Sequence, residues 1–159
     1  MSVVDRTIEI PASADEVWAV LADLGSIGAW ADNVDHSCLL RGGDDGSGAG
    51  IGATRRVQVG RRALVERVVI WEPTRRLAYE IEGLPPVVRR VQNEWRLEGV
   101  DGDAGDRPSR TTVTLETTVD CGARPPQKLV ARLLANRLAK DSETMLAGLA
   151  NSLKERTHA

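Results

Sequence analysis

Residues 8–34 read IEIPASADEVWAVLADLGSIGAWADNV, and the order of signals in this stretch decides the fold. Ile8 and Ile10 share a face with Val4 in an alternating run from Val3 to Ile10, the pattern of a half-buried strand. Pro11 ends that run. Ser13 and Glu16 have the spacing of a capping box, and Val17, Val20, Leu21 and Leu24 follow at helical spacing. A helix is therefore expected over about residues 14–23, stopped by Gly25, with a second helical turn over 26–31 that carries Trp30.

From residue 34 the hydrophobic period changes to two and stays so until residue 121. Strands are expected over 34–41, 52–60, 62–72, 76–82, 87–98 and 110–121. The separators are turn-formers: Gly42 to Gly50 (GGDDGSGAG), Glu72-Pro73-Thr74, and Gly83-Leu84-Pro85-Pro86. The acidic, Gly-rich stretch Gly99 to Ser109 is expected to be a mobile loop. Short connections between consecutive strands imply an antiparallel meander. Pro125-Pro126 then opens a helix over about 126–156, whose expected apolar stripe is Leu129, Leu133, Leu134, Leu138, Met145, Leu146, Leu149 and Leu153. The opposite face carries Lys128, Arg132, Arg137, Lys140 and Lys154.

The expectation is a single α+β domain over residues 1–159. A curved sheet of seven antiparallel strands wraps a long C-terminal helix, with two short helices after the first strand. A gap between such a sheet and its helix is a cavity suited to an apolar ligand.

Composition supports this and removes other classes. The chain has 159 residues, 42% hydrophobic and 28% charged, which suits one globular domain. No apolar run approaches the ~20 residues of a membrane span, and Asp5, Arg6 and Glu9 interrupt any signal peptide, so no integral membrane association and a cytoplasmic location are expected. A net charge of -2 gives no global field for nucleic acid. Cys38 and Cys121 have no metal-ligand spacing and read as small buried hydrophobes. His36 and His158 are the only histidines, so neither a metal site, a His-based triad nor a cofactor is expected. His36 reads as a structural residue. Aromatic residues are scarce: four Trp, one Tyr and no Phe.

With these elements in place, the sequence resembles the SRPBCC superfamily, also called the START or pollen-allergen-like helix-grip fold, and within it the polyketide cyclase/dehydrase-like proteins common in actinobacteria. The residues that carry the resemblance are 8–34 as quoted, GATRRV (52–57), VERVVIWEPTRRLAYEI (65–81) and TTVTLET (111–117). The resemblance implies the fold, and a choice among binding proteins, cyclases and lipid carriers, because this fold hosts many functions.

Alternation places side chains on the concave face. Leu77, Tyr79 and Ile81 are expected inside, as are Val91, Asn93, Trp95 and Leu97, and Val113, Leu115, Thr117 and Val119. Arg55, Val57 and Val59 are assigned inward. For strand 62–72 the odd residues, including Arg67 and Trp71, are assigned inward by parity with Leu77, which leaves Glu66 outside. The candidate ligand-binding set is then Trp30, Arg55, Arg67, Trp71, Tyr79, Asn93, Trp95 and Thr117, with three Trp and the Tyr converging on one concavity and Trp18 packing on the first helix. A buried cation must be paired or bind an anion. Arg55 and Arg67, with no carboxylate assigned inward beside them, point to a ligand with an anionic oxygen.

Three functions follow. One is binding of a small hydrophobic molecule of lipid, polyketide or isoprenoid type. The second is a polyketide aromatase/cyclase or dehydratase, in which the Glu66-Arg67 step resembles the aromatase strand and Arg67 is the catalytic candidate; Ala63 and Val65 depart from that branch. The third is a regulatory or toxin-like stress protein. The exposed edge strand permits a monomer or a homodimer.

Overall fold

The computed structural model describes residues 1–46, 48–100 and 109–157. Most of the loop expected to be mobile, residues 101–108, lies outside them. Strand β1 (Ser2–Ile10) leads into helix α1 (Ala14–Ala22) and a 3-10 helical turn (Leu24–Ala29). Ser13 has extended backbone angles, and its hydroxyl oxygen accepts the amide of Glu16 at 3.2 Å, so Ser13 caps α1 as expected, with the Glu16 carboxylate accepting from the Ser13 hydroxyl. Strands β2 (His36–Arg41), β3 (Thr54–Val59), β4 (Arg62–Glu72), β5 (Arg76–Glu82), β6 (Arg90–Val100) and β7 (Arg110–Asp120) follow, and α2 (Pro125–Thr157) closes the chain.

The sheet runs β1-β7-β6-β5-β4-β3-β2, antiparallel throughout. Chain order and sheet order agree except that β1 joins the far side of β7, which brings α1 and the 3-10 turn across the concave face. The core lies between that face, α1 and the C-terminal half of α2; Tyr79, Leu77, Trp95, Leu115, Leu146 and Leu149 are among its fully buried members. This is the helix-grip architecture.

Register corrects the orientation of β4. The two-residue connection Gly60-Arg61 pairs Val59 with Arg62, so odd residues of β3 face even residues of β4: Val57 with Leu64, and Arg55 with Glu66. Residues directly opposite share a face. An inward Arg55 therefore forces Glu66 inward and Arg67 outward. Arg67 has a side chain 56% exposed and pairs with Glu82 at 3.4 Å, so its assignment to the concavity is overturned. Parity with Leu77 failed as a guide because a bulge intervenes: the β4–β5 register shifts between Val68 and Ile70, after which Trp71 does stand opposite Leu77.

Three further expectations change. Trp71 does not join the other rings; it stacks edge to face on Trp18, with centroids 5.0 Å apart. Cys38 is exposed on the edge strand β2, whereas Cys121 is buried. The first half of α2 is also turned from its expected face. Ala131, Ala135 and Ala139 are buried, while Leu129 and Leu133 are exposed. Ala131 and Ala135 pack on Val91, Val119 and Cys121, where short side chains let the helix approach the sheet closely.

Close approach recurs at Gly148. A Cβ there would overlap the carbonyl oxygen of Trp30, so the residue after the 3-10 turn sits directly against α2. In an exposed helix, replacing Gly by Ala stabilises by about 1 kcal/mol. Here Gly148→Ala is expected to destabilise by about 1–3 kcal/mol through overpacking. A denaturant midpoint at or above that of the parent protein contradicts this packing.

Candidate functional site

The concave face carries one continuous polar chain. Arg55 and Glu66 lie at its β3–β4 end, with side chains only 4% and 8% exposed. The Arg55 Nε donates to Glu66 Oε1 at 2.7 Å, and one terminal nitrogen donates to the Leu24 carbonyl at 3.2 Å. The guanidinium also lies over the Tyr79 ring, 4.6 Å from its centroid. Burial opposes the charge on Arg55, but Glu66 and Tyr79 outweigh it and raise the Arg55 pKa. The Tyr79 phenol is pushed up by burial first and Glu66 second, against Arg55, so it keeps its proton.

From Tyr79 the chain continues toward α2. The Tyr79 hydroxyl accepts from Trp95 Nε1 at 3.2 Å and from Asn93 Nδ2 at 3.5 Å. Thr117 Oγ1 donates to Asn93 Oδ1 at 2.6 Å and lies 3.5 Å from Ser142 Oγ, which donates to the Leu138 carbonyl. Alternation on β5, β6 and β7 brings Tyr79, Asn93 and Thr117 side by side, since Tyr79 pairs with Asn93 and Asn93 with Thr117 in register.

A cavity of about 80 Å³ lies between this chain and α2. Ile27, Val34, Val57, Val59, Leu64, Ile81, Leu138 and Met145 form its apolar walls, and Asn33, Glu66, Asn93, Thr117, Asp141 and Ser142 its polar points. Asn33 Oδ1 is buried with no hydrogen-bond partner. Such an atom costs about 1–3 kcal/mol unless something donates to it, so it marks where a donor belongs.

The expected site residues divide into four groups. Asn93 and Thr117 line the cavity. Arg55, Tyr79, Trp95 and Trp30 are buried behind its surface; Trp30 and Trp95 stack edge to face at 5.8 Å, and the Trp30 indole N–H is unpartnered. Trp71 stands apart beside Trp18, and Arg67 is in solvent. The anionic-ligand reading loses its basis, because the carboxylate assigned outside is the one that neutralises Arg55.

Sequence reasoning missed Asn33, Glu66, Asp141 and Ser142. Glu66 was findable from the tight Gly60-Arg61 hairpin, which fixes its register against Arg55. Asp141-Ser142 was findable as a polar pair at the position where the helical repeat after Leu134 and Leu138 calls for an apolar residue. Asn33 follows a helical turn and has no comparable signal. Among the described residues no group of three or more His, Cys, Asp or Glu gathers as metal ligands. Among the described residues no helix is long and apolar enough to cross a membrane.

Asp141 yields a pH dependence. Burial raises its pKa above the ordinary 3.8, with Arg137 acting the other way. The native state then binds more protons than the unfolded state once pH exceeds the unfolded value, so this group lowers stability as pH rises through the carboxylate range. Asp141→Asn should be more stable than the parent at neutral pH, and the advantage should vanish in acid below the ordinary aspartate value. Urea midpoints of both proteins across that range test this; a difference independent of pH contradicts it.

The geometry can be set beside known proteins. No curated protein matches the sequence significantly. Among solved structures, a Thermobifida fusca protein is 28% identical, with 98% of this chain and 95% of that one covered and a TM-score of 0.72. The Zhui aromatase/cyclase of Streptomyces sp. R1128 is 19% identical over 98% of this chain and 95% of that one, at a TM-score of 0.69. A START superfamily protein of Mycobacterium smegmatis is 13% identical over 96% and 97%, at 0.67. The last two similarities concern the fold alone. A family model described as polyketide cyclase / dehydrase and lipid transport matches residues 1–154. With that match over nearly its whole length and the helix-grip fold beneath it, the chain belongs to the polyketide cyclase / dehydrase and lipid transport family.

Proposed function

We propose that this chain binds a small, mainly apolar molecule of lipid, polyketide or isoprenoid type, which presents a neutral hydrogen-bond donor to the cavity. The observation that carries the reading is the buried, unpartnered Asn33 Oδ1 in a pocket whose walls are mainly aliphatic. The guanidinium of Arg55, which borders the polar chain, is already bound to Glu66, so a carboxylate or enolate ligand would have to displace a buried partner. A hydroxyl meets the orphaned acceptor at no such cost.

At about 80 Å³ the cavity is smaller than the roughly 300–1,000 Å³ of sites for drug-sized ligands. A ligand of that size enters only if α2 and the hairpins of β3, β4 and β5 separate.

Asp141 supports a second, enzymatic reading of the same pocket. A carboxyl whose pKa is raised by burial suits proton transfer, as a cyclase or dehydratase requires. Family membership and the fold shared with an aromatase/cyclase support both readings equally.

Calorimetric titration with 1-decanol and with decanoate tests the binding mode. The alcohol should bind more tightly, and Asn33→Leu should weaken it by about three- to tenfold. Tighter binding of the carboxylate, or no effect of Asn33→Leu, contradicts the reading. Asp141→Asn separates carrier from enzyme: a carrier keeps its affinity, whereas a cyclase keeps affinity but loses turnover.

A further inference from the structure

The first half of α2 presents a surface that neither the core nor the cavity uses. Leu129 is 55% exposed, Val130 38% and Leu133 61%. Around them stand Arg124, Lys128, Arg132, Arg137 and Lys140, all exposed, and residues 123–140 contain no Asp or Glu. None of the five cations has an ion-pair partner among the described residues. Arg137 is near enough to Asp141 to lower its pKa, and no closer. On the sheet, Arg67, Arg76, Arg90, Arg96 and Arg110 are paired with carboxylates, while Arg56 and Arg62 have no ion pair among the described residues. A chain of net charge -2 thus concentrates five unpaired positive charges beside three exposed aliphatic side chains. The β5–β6 loop adds exposed Val87 and Arg89, and it packs through Leu84 and Val88 on the same small cluster as Leu134 and Leu138.

We propose that this face docks on an anionic phospholipid bilayer, with Leu129, Val130 and Leu133 in the acyl boundary and the cations on the headgroups. Charge selects this occupant. A second copy meeting the face symmetrically would set five cations against five. Nucleic acid offers phosphates but no place for the aliphatic side chains. An anionic bilayer supplies both, which is how basic amphipathic helices bind membranes from the surface. The helix lies along the surface and does not cross it. Leu138, one turn beyond Leu134, lines the cavity, so docking sets the bilayer beside the seam through which an apolar ligand would pass. The proposal does not depend on the ligand reading, since membrane binding is measured with no ligand added.

Sedimentation of the full chain with vesicles of phosphatidylcholine, alone or mixed with phosphatidylglycerol, tests it. Binding is expected only to the mixed vesicles and should fall as salt rises. Lys128→Gln and Arg132→Gln should each weaken it by about fivefold. Leu129→Ser with Leu133→Ser should weaken it further while leaving the thermal midpoint unchanged, because both residues are exposed. Arg75→Gln, which removes the same single charge from the β4–β5 turn at the opposite end of the sheet, should leave it intact. Four results overturn the proposal: no binding, equal binding to both vesicles, equal loss in the Arg75→Gln control, or a dimer that the Leu129/Leu133 variant dissociates.

Discussion

The Arg55–Glu66 pair fixes the chemistry of the concave face. Each ion alone would be costly to remove from water, and together they remain buried only because the hydrogen bond at 2.7 Å, the Leu24 carbonyl and the Tyr79 ring complete the shell of the guanidinium. Those partners come from β4, β5 and the 3-10 turn. One side chain of β3 therefore ties the 3-10 turn to the adjacent strands β4 and β5, and it sets the face that β4 presents. Once Glu66 is inside, Leu64 lines the cavity, Arg67 leaves it, and the charge of Arg55 is neutralised within the fold.

Much of this was legible in the sequence. The helix cap at Ser13, the alternation on β5, β6 and β7, and the Pro125 helix start are local signals that depend on few residues, and the structure keeps them. Asn93 and Thr117 were placed correctly because strand alternation fixes a face as soon as one neighbour is known to be buried. Assignments that needed register or supersecondary detail failed. The face of β4 depends on a two-residue hairpin at one end and a bulge at the other, and each reverses parity. Reading Trp71 and Arg67 from a single parity could place at most one of them correctly.

The face of α2 misled for a different reason. Leucine marks the core only where there is room for it. Against β6 and β7 the helix approaches so closely that Ala131 and Ala135 fill the interface, and Leu129 and Leu133 turn outward with the basic residues. Past Leu138 the helix meets a wider space, where Met145, Leu146 and Leu149 pack the core, and the cavity opens at the change between the two regimes. The scarcity of aromatic residues acquires a similar meaning. Trp30, Tyr79 and Trp95 form a hydrogen-bonded, stacked wall behind the cavity, and aliphatic side chains with a few amides, hydroxyls and carboxyl groups face its interior.

The central claim is that Glu66, and not a ligand, satisfies the buried charge of Arg55. A double-mutant cycle tests it most directly, with Arg55→Met, Glu66→Leu and the pair combined, each followed by urea unfolding. Each single variant leaves one buried ion without its partner and should cost about 3–5 kcal/mol, whereas the double variant should cost far less than the sum and approach the parent. Single effects that simply add would mean the two groups are not coupled, and the account of the concave face would fail with them.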